Sequence, residues 1–501
     1  MPEDSPFRVA VVGGGMGGAT AAYYLRQFFG PQVSITLFEQ SGRIGGRIRA
    51  VDFGGRKCET GASIFHSCNQ YMKKFSEKFD LPLRDVSKGD NREVFYGGHE
   101  KVAFSTLGGP PMFVKMRYFW HFGFDAIRGY RYTRSMMRDF TKIYKLQDDG
   151  FCFSTPAQLL AALRPEFVEM TTQTFDDWLT KRVKVGTVFK EELAYPLVCN
   201  NFCQNLDVHG FVGFITLSTM LPKLYMVTGG NEQVPSNLVR HALADNPADG
   251  PKKPVRAKVT TISRVPSSGG FKVEYMADES SQKYQETFDY VVLAAPMHQD
   301  SEIRTDGTIT LPRNQYQPVD HGFFVGSLKC SAFGITKCPF AFRQLIGIIP
   351  TQSGYLKDPG CLFRTFMSFP TKPGSTSRLW TTFSVPSRVA DPIKSFTEKY
   401  FERLEYSADG KPSALCFRWL AYPVYKPVAN PAKDLGSFVI APGLFYVNAI
   451  EQAASCMEMA AIGGRNAALL VAAARQSSLG QAKTVHVDTI PTHSSGSRTS
   501  K

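Results

Sequence analysis

Runs and rhythms of apolar residues divide this chain into elements of two kinds. Val9 to Val12 are continuously apolar and largely β-branched, the pattern of a parallel strand buried on both faces. Ala19 to Leu25 continue as a helix with small residues toward that sheet, and Val33 to Phe38 form a second strand. Arg49 to Phe53 with the turn Gly54-Gly55 predict a hairpin, and Tyr71 to Phe79 an amphipathic helix. Glu93 to Phe104 read as short strands around Gly97-Gly98. The rhythm then turns helical in an aromatic and basic stretch that runs to Lys145. Phe113, Met116, Phe119 and Trp120 recur at helical intervals, as do Tyr132, Met136, Met137 and Phe140. Helices continue through Pro156–Leu163, Thr174–Leu179 and Phe211–Leu221.

Strand patterns return at Met226, where a strand, a glycine turn and a helix follow one another. Lys258–Ile262 and Phe271–Tyr275 pair as a hairpin, and Tyr290–Pro296 is a buried strand ending in small residues. Short strands then dominate, at Gly322–Leu328, Leu362–Phe369 and Leu379–Val385. Leu444–Val447 is a last strand, and Asn448–Leu470 a glycine- and alanine-rich helix. From Arg475 periodicity is lost, so 475–501 is expected to be a disordered tail.

The chemistry begins where the first strand meets its helix. Gly13, Gly15 and Gly18 stand at G-x-G-x-x-G spacing: the first permits the tight turn, the second lets a pyrophosphate approach the backbone, and the third lets helix and strand pack closely. Glu39, about 20 residues past the last glycine, ends the second strand where a carboxylate accepts ribose hydroxyls. Dinucleotide binding follows from this arrangement of strand, glycine turn, helix and acid.

Composition narrows little. A chain of 501 residues holds two domains with full cores, and 43% hydrophobic with 20% charged residues is ordinary for a globular protein. The net charge of +14 comes without a Lys/Arg block, zinc-finger spacing or RNA-binding signature, so nucleic acid is not an expected partner. Attraction to anionic membrane surfaces is the better use of that charge, with peripheral membrane contact as its consequence. The ten cysteines show no metal spacing and read mostly as buried thiols without a disulfide framework. No signal peptide is visible before Phe7, and no apolar run approaches bilayer-spanning length.

Two motifs bring in a family. Arg43-Ile44-Gly45-Gly46-Arg47, just past Glu39, resembles the flavin-binding start of the amine oxidase and phytoene desaturase superfamily, in which such an arginine supports the pyrophosphate. A closer resemblance, over about Val9 to Leu470, is to the prenylcysteine oxidase (prenylcysteine lyase) family. It rests on Gly61-Ala62-Ser63-Ile64-Phe65-His66 with Asn69, on Asn205 to Gly213, on Trp419-Leu420-Ala421-Tyr422-Pro423-Val424-Tyr425-Lys426-Pro427, and on Glu451 to Met459.

The resemblance implies an α/β fold: a Rossmann-type, glutathione reductase-like FAD-binding domain with an inserted mixed sheet and a helical substrate domain. FAD-binding parts are expected at 7–85, 225–298 and 438–474, a mainly helical cap at 86–224 and a strand-rich substrate region at 299–437. It implies FAD held by Gly13, Gly15, Gly18, Glu39, Gly45, Gly46, Arg47, Gly61, Ala62, Ser63, Val259, Ala294, Glu451, Met459 and Ala460. Gly61-Ala62 would bring bare backbone to the ring, and Val259 would hold the adenine through its backbone. The implied reaction is oxidation of the thioether of farnesyl- or geranylgeranyl-cysteine by O2, giving cysteine, a prenyl aldehyde and H2O2. No metal and no obligate protein partner are expected. Catalytic candidates are His66, to orient water or accept a proton, and Tyr422 with Tyr425, as an aromatic pair on the substrate side. The aromatic and Met residues of Phe113–Phe140 are candidates for an isoprenoid channel, and Arg117, Arg128, Arg131 and Arg134 for a positive rim. The resemblance implies a lysosomal or endomembrane location; without a visible signal peptide, either the N-terminus is incomplete or the location is cytoplasmic. Another flavin amine or isoprenoid oxidase and a non-catalytic prenyl-binding escort are the competing functions.

Overall fold

The computed structural model describes residues 6–87, 92–108, 110, 112–221, 223–244, 250, 252–267, 269–277, 282–336, 345–370, 378–407, 410–480 and 486–488. Phe7–Val12 lies in the middle of a nine-stranded sheet, with Val33–Glu39 on one side and Tyr290–Leu293 on the other, all parallel. Leu444–Tyr446 extends the parallel set, and the meander Val255–Arg264, Phe271–Ala277, Lys283–Phe288 continues the opposite edge. The central strands lie under helices, which is why their sequences are apolar without alternation.

Two helices cover this sheet near its centre, Met16–Phe29 and Met457–Leu479, and they meet backbone to backbone. A Cβ on Gly464 would stand 2.3 Å from the carbonyl of Gly17, and one on Gly463 2.8 Å from that of Val447. The glycine pair in the C-terminal helix is therefore a packing requirement. The helix also starts later and ends later than its sequence rhythm predicts. Val447–Gln452 form a 3-10 turn before it, and residues 471–479 continue it beyond the expected end at Leu470. The expected tail is corrected again at His486–Val487, which pair with Phe151–Cys152. The remainder of the tail lies outside the described residues.

The second layer is an eight-stranded sheet built on the long strand Tyr316–Leu328, which pairs with Arg378–Ser384, Ala414–Pro423 and Phe401–Leu404. Arg92–Gly98 and Lys101–Ser105 join its far edge through Leu345–Pro350, so residues from the start of the expected helical cap belong to the substrate sheet. The cap helices follow from Met112–Phe140 to Ser218–Met220. Met136, Met137 and Phe140 are buried among them, but Phe113, Met116, Phe119 and Trp120 face solvent, which corrects the isoprenoid-channel expectation for that stretch. Among the described residues eight cysteines are free thiols, five of them buried, in keeping with the reading of mostly buried thiols, and Cys330 is disulfide-bonded.

Candidate active site

A cavity of about 650 Å³ runs from the Gly13–Gly15 turn, past the end of Val33–Glu39, to the face of the second sheet. Its first wall is the glycine loop. Gly13 adopts φ +106, and a Cβ there would lie 3.0 Å from the backbone of Ala294. Glu39 closes the loop from the next strand: its Oε2 accepts the Gly14 N–H at 2.8 Å, and its Oε1 accepts from the N–H and hydroxyl of Ser41. The second glycine pair rests on the first. Gly45 donates its N–H to Gly14 O at 2.9 Å, and Gly46, at φ +58, would place a Cβ 3.1 Å from Gly15 Cα. Arg43 ties this turn by donating to Ile48 O and Gly46 O at 3.0 and 2.5 Å.

Arg47 links the two sheets. Its Nη1 donates to Ala421 O at 2.8 Å, and its Nη2 forms an ion pair with the buried carboxylate of Glu451. Tyr316 completes the set by donating its hydroxyl to Glu451 Oε2 at 2.8 Å. Burial works against the Arg47 charge, but the adjacent Glu451 carboxylate outweighs it and holds the guanidinium firmly protonated. The pair presents a fixed cation to the cavity at little net charge.

Gly61 and Ala62 line the cavity, and the glycine meets a further requirement besides the expected one. A Cβ on Gly61 would meet Arg47 O at 1.9 Å, so chain-to-chain contact alone demands glycine here. Behind them stands a polar clamp. Asn231 donates its side-chain amide to Ala62 O and Ser63 O at 3.1 and 2.9 Å, and its backbone N–H to Glu59 Oε1 at 2.6 Å. Glu59 is buried, which pushes its carboxyl up to about 8 against the partial counter-effect of that N–H.

The far wall comes from the second sheet: Val319, His321, Phe383, Trp419, Ala421 and Tyr422. A β-bulge brings three of these to one face. Tyr422 pairs with Gln317 and Leu420 with Pro318, leaving Ala421 as an extra residue. Strand alternation would send Ala421 and Tyr422 to opposite faces; the bulge lets both line the cavity and turns Ala421 O toward Arg47. Pro318, which has no N–H to give the ladder, is the sequence signal for it. His321 sits between Phe323 and Phe383 with ring centroids 4.4 and 4.3 Å away. Its Nδ1–H donates to Thr60 O at 2.8 Å and its Nε2 meets the Thr381 hydroxyl. Burial lowers its pKa to about 4, so it is a neutral imidazole with both nitrogens engaged.

Of the residues expected at the site, Gly13, Gly15, Glu39, Gly45, Gly46, Arg47, Gly61, Ala62, Val259, Ala294, Tyr422, Glu451 and Ala460 line the cavity. Gly18, Ser63 and Met459 do not. Gly18 acts by packing, since its Cβ would lie 2.0 Å from Gly13 O. His66 is corrected as a catalytic candidate: it lies outside the cavity wall, where Nδ1 accepts the Cys68 N–H and its own N–H donates to Asn69 Oδ1. Tyr425 is corrected likewise, because it is buried against Phe202 and His209 behind the wall. Trp419, Phe383 and His321 line the cavity without having been expected there. Trp419 lay inside a quoted motif, whereas nothing local marks Phe383 or His321. Among the described residues no Asp, Glu, His and Cys cluster has metal-binding geometry.

Comparison with known proteins agrees with this architecture. The family model described as prenylcysteine lyase matches residues 112–483, and that of an NAD(P)-binding Rossmann-like domain matches 11–79. Prenylcysteine oxidase 1 of Bos taurus is 29% identical over 94% of this chain and 89% of its own length. The Homo sapiens protein of that name is 30% identical, over 93% and 88%. Solved structures with the same fold include putrescine oxidase bound to putrescine (TM-score 0.58, 15% identity, 93% of this chain and 99% of that one). Cyclohexylamine oxidase from Brevibacterium oxydans is another (TM-score 0.58, 14% identity, 94% and 100%).

Proposed function

This chain belongs to the prenylcysteine lyase family, and from that membership we propose that it is an FAD-dependent oxidase of prenylcysteine thioethers. The substrate class is farnesyl- or geranylgeranyl-cysteine. With O2 and water it yields cysteine, a prenyl aldehyde and H2O2. One observation carries the reading: the glycine-lined dinucleotide cradle and an apolar, aromatic wall are two ends of a single cavity. The cradle fits FAD, because the glycines bordering it leave the backbone bare where a pyrophosphate would lie, and Glu39 stands where ribose hydroxyls would reach it. Val259, Ala294, Gly61, Ala62, Glu451 and Ala460 would hold the remainder.

The chemistry FAD supplies when bound is acceptance of hydride from the allylic carbon next to sulfur and delivery of the electron pair to O2. The substrate's own sulfur and double bond stabilise the positive charge left on that carbon, so the protein's task is placement. Val319, Phe383, Trp419 and Tyr422 form a surface that excludes bulk water and suits an isoprenoid. Trp419 Nε1 is buried, with no acceptor among the described residues, so the indole contributes its ring to this wall. His321, tied at both nitrogens, shapes the wall and shuttles no proton. Water adds to the oxidised carbon, loses a proton to solvent, and the resulting hemithioacetal breaks its C–S bond to give aldehyde and thiol.

Anaerobic mixing of the holoprotein with farnesylcysteine tests this directly. Bleaching of the visible flavin band, with one aldehyde and one peroxide per turnover once air returns, is the expected result. A bound flavin that stays oxidised with prenylcysteine but bleaches with an amine would overturn it.

A further inference from the structure

The first half of the Met112–Phe140 helix exposes residues that a folded protein normally buries. Met112 is 73% exposed, Trp120 74% and Phe124 71%, and Phe113, Met116, Phe119 and Ile127 are also on the surface. The exposure is ordered. At 100° per residue, Phe119, Met112, Met116, Trp120 and Phe113 follow one another around an arc of about 120°. Lys115 borders one edge of that arc and Arg117 the other. The opposite side is seated on the protein: Tyr118 donates its hydroxyl to Glu93, and His121 stacks on Phe104 at 4.3 Å.

The chain is then redirected at Gly123, whose φ of +56 and ψ of −140 break the helix. The break lays Phe124 against Phe119, with ring centroids 6.2 Å apart, so the apolar arc continues past the kink. Beyond it the surface is cationic. Arg128, Arg131, Arg134 and Arg138 are exposed, and Arg131 and Arg134 have no carboxylate partner among the described residues.

We propose that this face docks on an anionic lipid bilayer, the Met112–Trp120 segment lying in the interfacial plane with its aromatic arc among the acyl chains. The pairing of an apolar arc with flanking cations is what such a surface selects, and the net charge of +14 adds a long-range attraction. Contact rather than crossing is required, since among the described residues no helix is long and apolar enough to span a membrane. A second copy of the chain is the poorer occupant. A two-fold contact through this face would bring Lys115, Arg117, Arg131 and Arg134 against their own counterparts.

Flotation of the holoprotein with vesicles of phosphatidylcholine carrying about 30 mol % phosphatidylserine tests the proposal. Binding is expected, weaker to phosphatidylcholine alone and reduced by high salt. Phe113→Ser, Trp120→Ser and Phe124→Ser together should lower the partition coefficient on the order of 100-fold. Arg131→Ala with Arg134→Ala should lower it about 30-fold, from roughly fivefold per cation. Brominated acyl chains should quench part of the tryptophan emission, and Trp120→Phe should remove that part. The altered side chains are exposed, so flavin absorbance and melting temperature should match the parent and certify the fold. Absence of vesicle binding overturns the proposal, as does binding that the triple-serine variant leaves unchanged. A concentration-dependent dimer that this variant abolishes, with no vesicle binding, assigns the face to self-association instead. Each readout is independent of turnover, so failure here leaves the catalytic reading standing.

Discussion

Glu59→Gln should stabilise the protein above neutral pH while leaving it nearly unchanged in mild acid. The carboxyl is buried at the end of the Arg56–Glu59 strand, accepts one N–H, and has Oε2 without a partner among the described residues. Burial raises its pKa from the ordinary 4.5 to about 8, and the neighbouring Glu232 adds to the rise. The native state therefore holds a proton that the unfolded chain has lost. The stabilising contribution is complete below the unfolded value and disappears as pH rises through the folded one. Integrated between those values, this one group costs the wild type about 3 kcal/mol between about pH 5 and pH 8. Glutamine keeps the acceptor for Asn231 and cannot ionise. Urea unfolding of both proteins across that range should give curves that diverge by about 3 kcal/mol, with flavin content unaltered. Glu458, raised to about 7 by burial, adds a background slope of the same sign to both. Parallel curves would show that Glu59 ionises normally in the fold and refute the reasoning.

Three further outcomes follow from contacts at the cavity. Gly18→Ala sets a methyl 2.0 Å from Gly13 O, where neither backbone can yield; it should cost about 3 kcal/mol or more and give colourless protein, read from the flavin-to-protein absorbance ratio. Glu451→Gln strands the Arg47 cation between the sheets, for a loss of about 3 kcal/mol in denaturant unfolding and faster flavin release on dilution. Tyr422→Phe should leave kcat within about twofold and the alkaline limb of the pH–rate profile in place. Burial keeps that phenol neutral, and a limb that vanished would make it an acid–base group.

The opening strand, its glycine turn and Glu39 were legible because each answers to a local rule: backbone conformation, close approach, or the reach of one carboxylate. The Arg43–Arg47 turn and the small residues of the closing helix were legible only through their resemblance to a flavin-binding superfamily. Assignments made from residue type alone fared differently. His66 and Tyr425 are the kinds of side chain that do chemistry, yet one holds a turn and the other packs behind the wall. Phe383 and His321 reach the cavity from strands that pair across the second sheet, a neighbourhood no local spacing encodes.

The apolar rhythm of Met112–Phe140 shows the same division from the other side. Periodicity determined that the segment is helical, but not which face would be covered. The mates of that helix, Glu93 and Phe104, sit on strands whose position depends on Leu345–Pro350, far along the chain. By itself the sequence determined the elements and the dinucleotide loop, because those energies are summed over neighbours in the chain. The aromatic wall, the Arg47–Glu451 link and the solvent-facing arc were decided only in three dimensions, where burial and register are set by residues hundreds of positions apart.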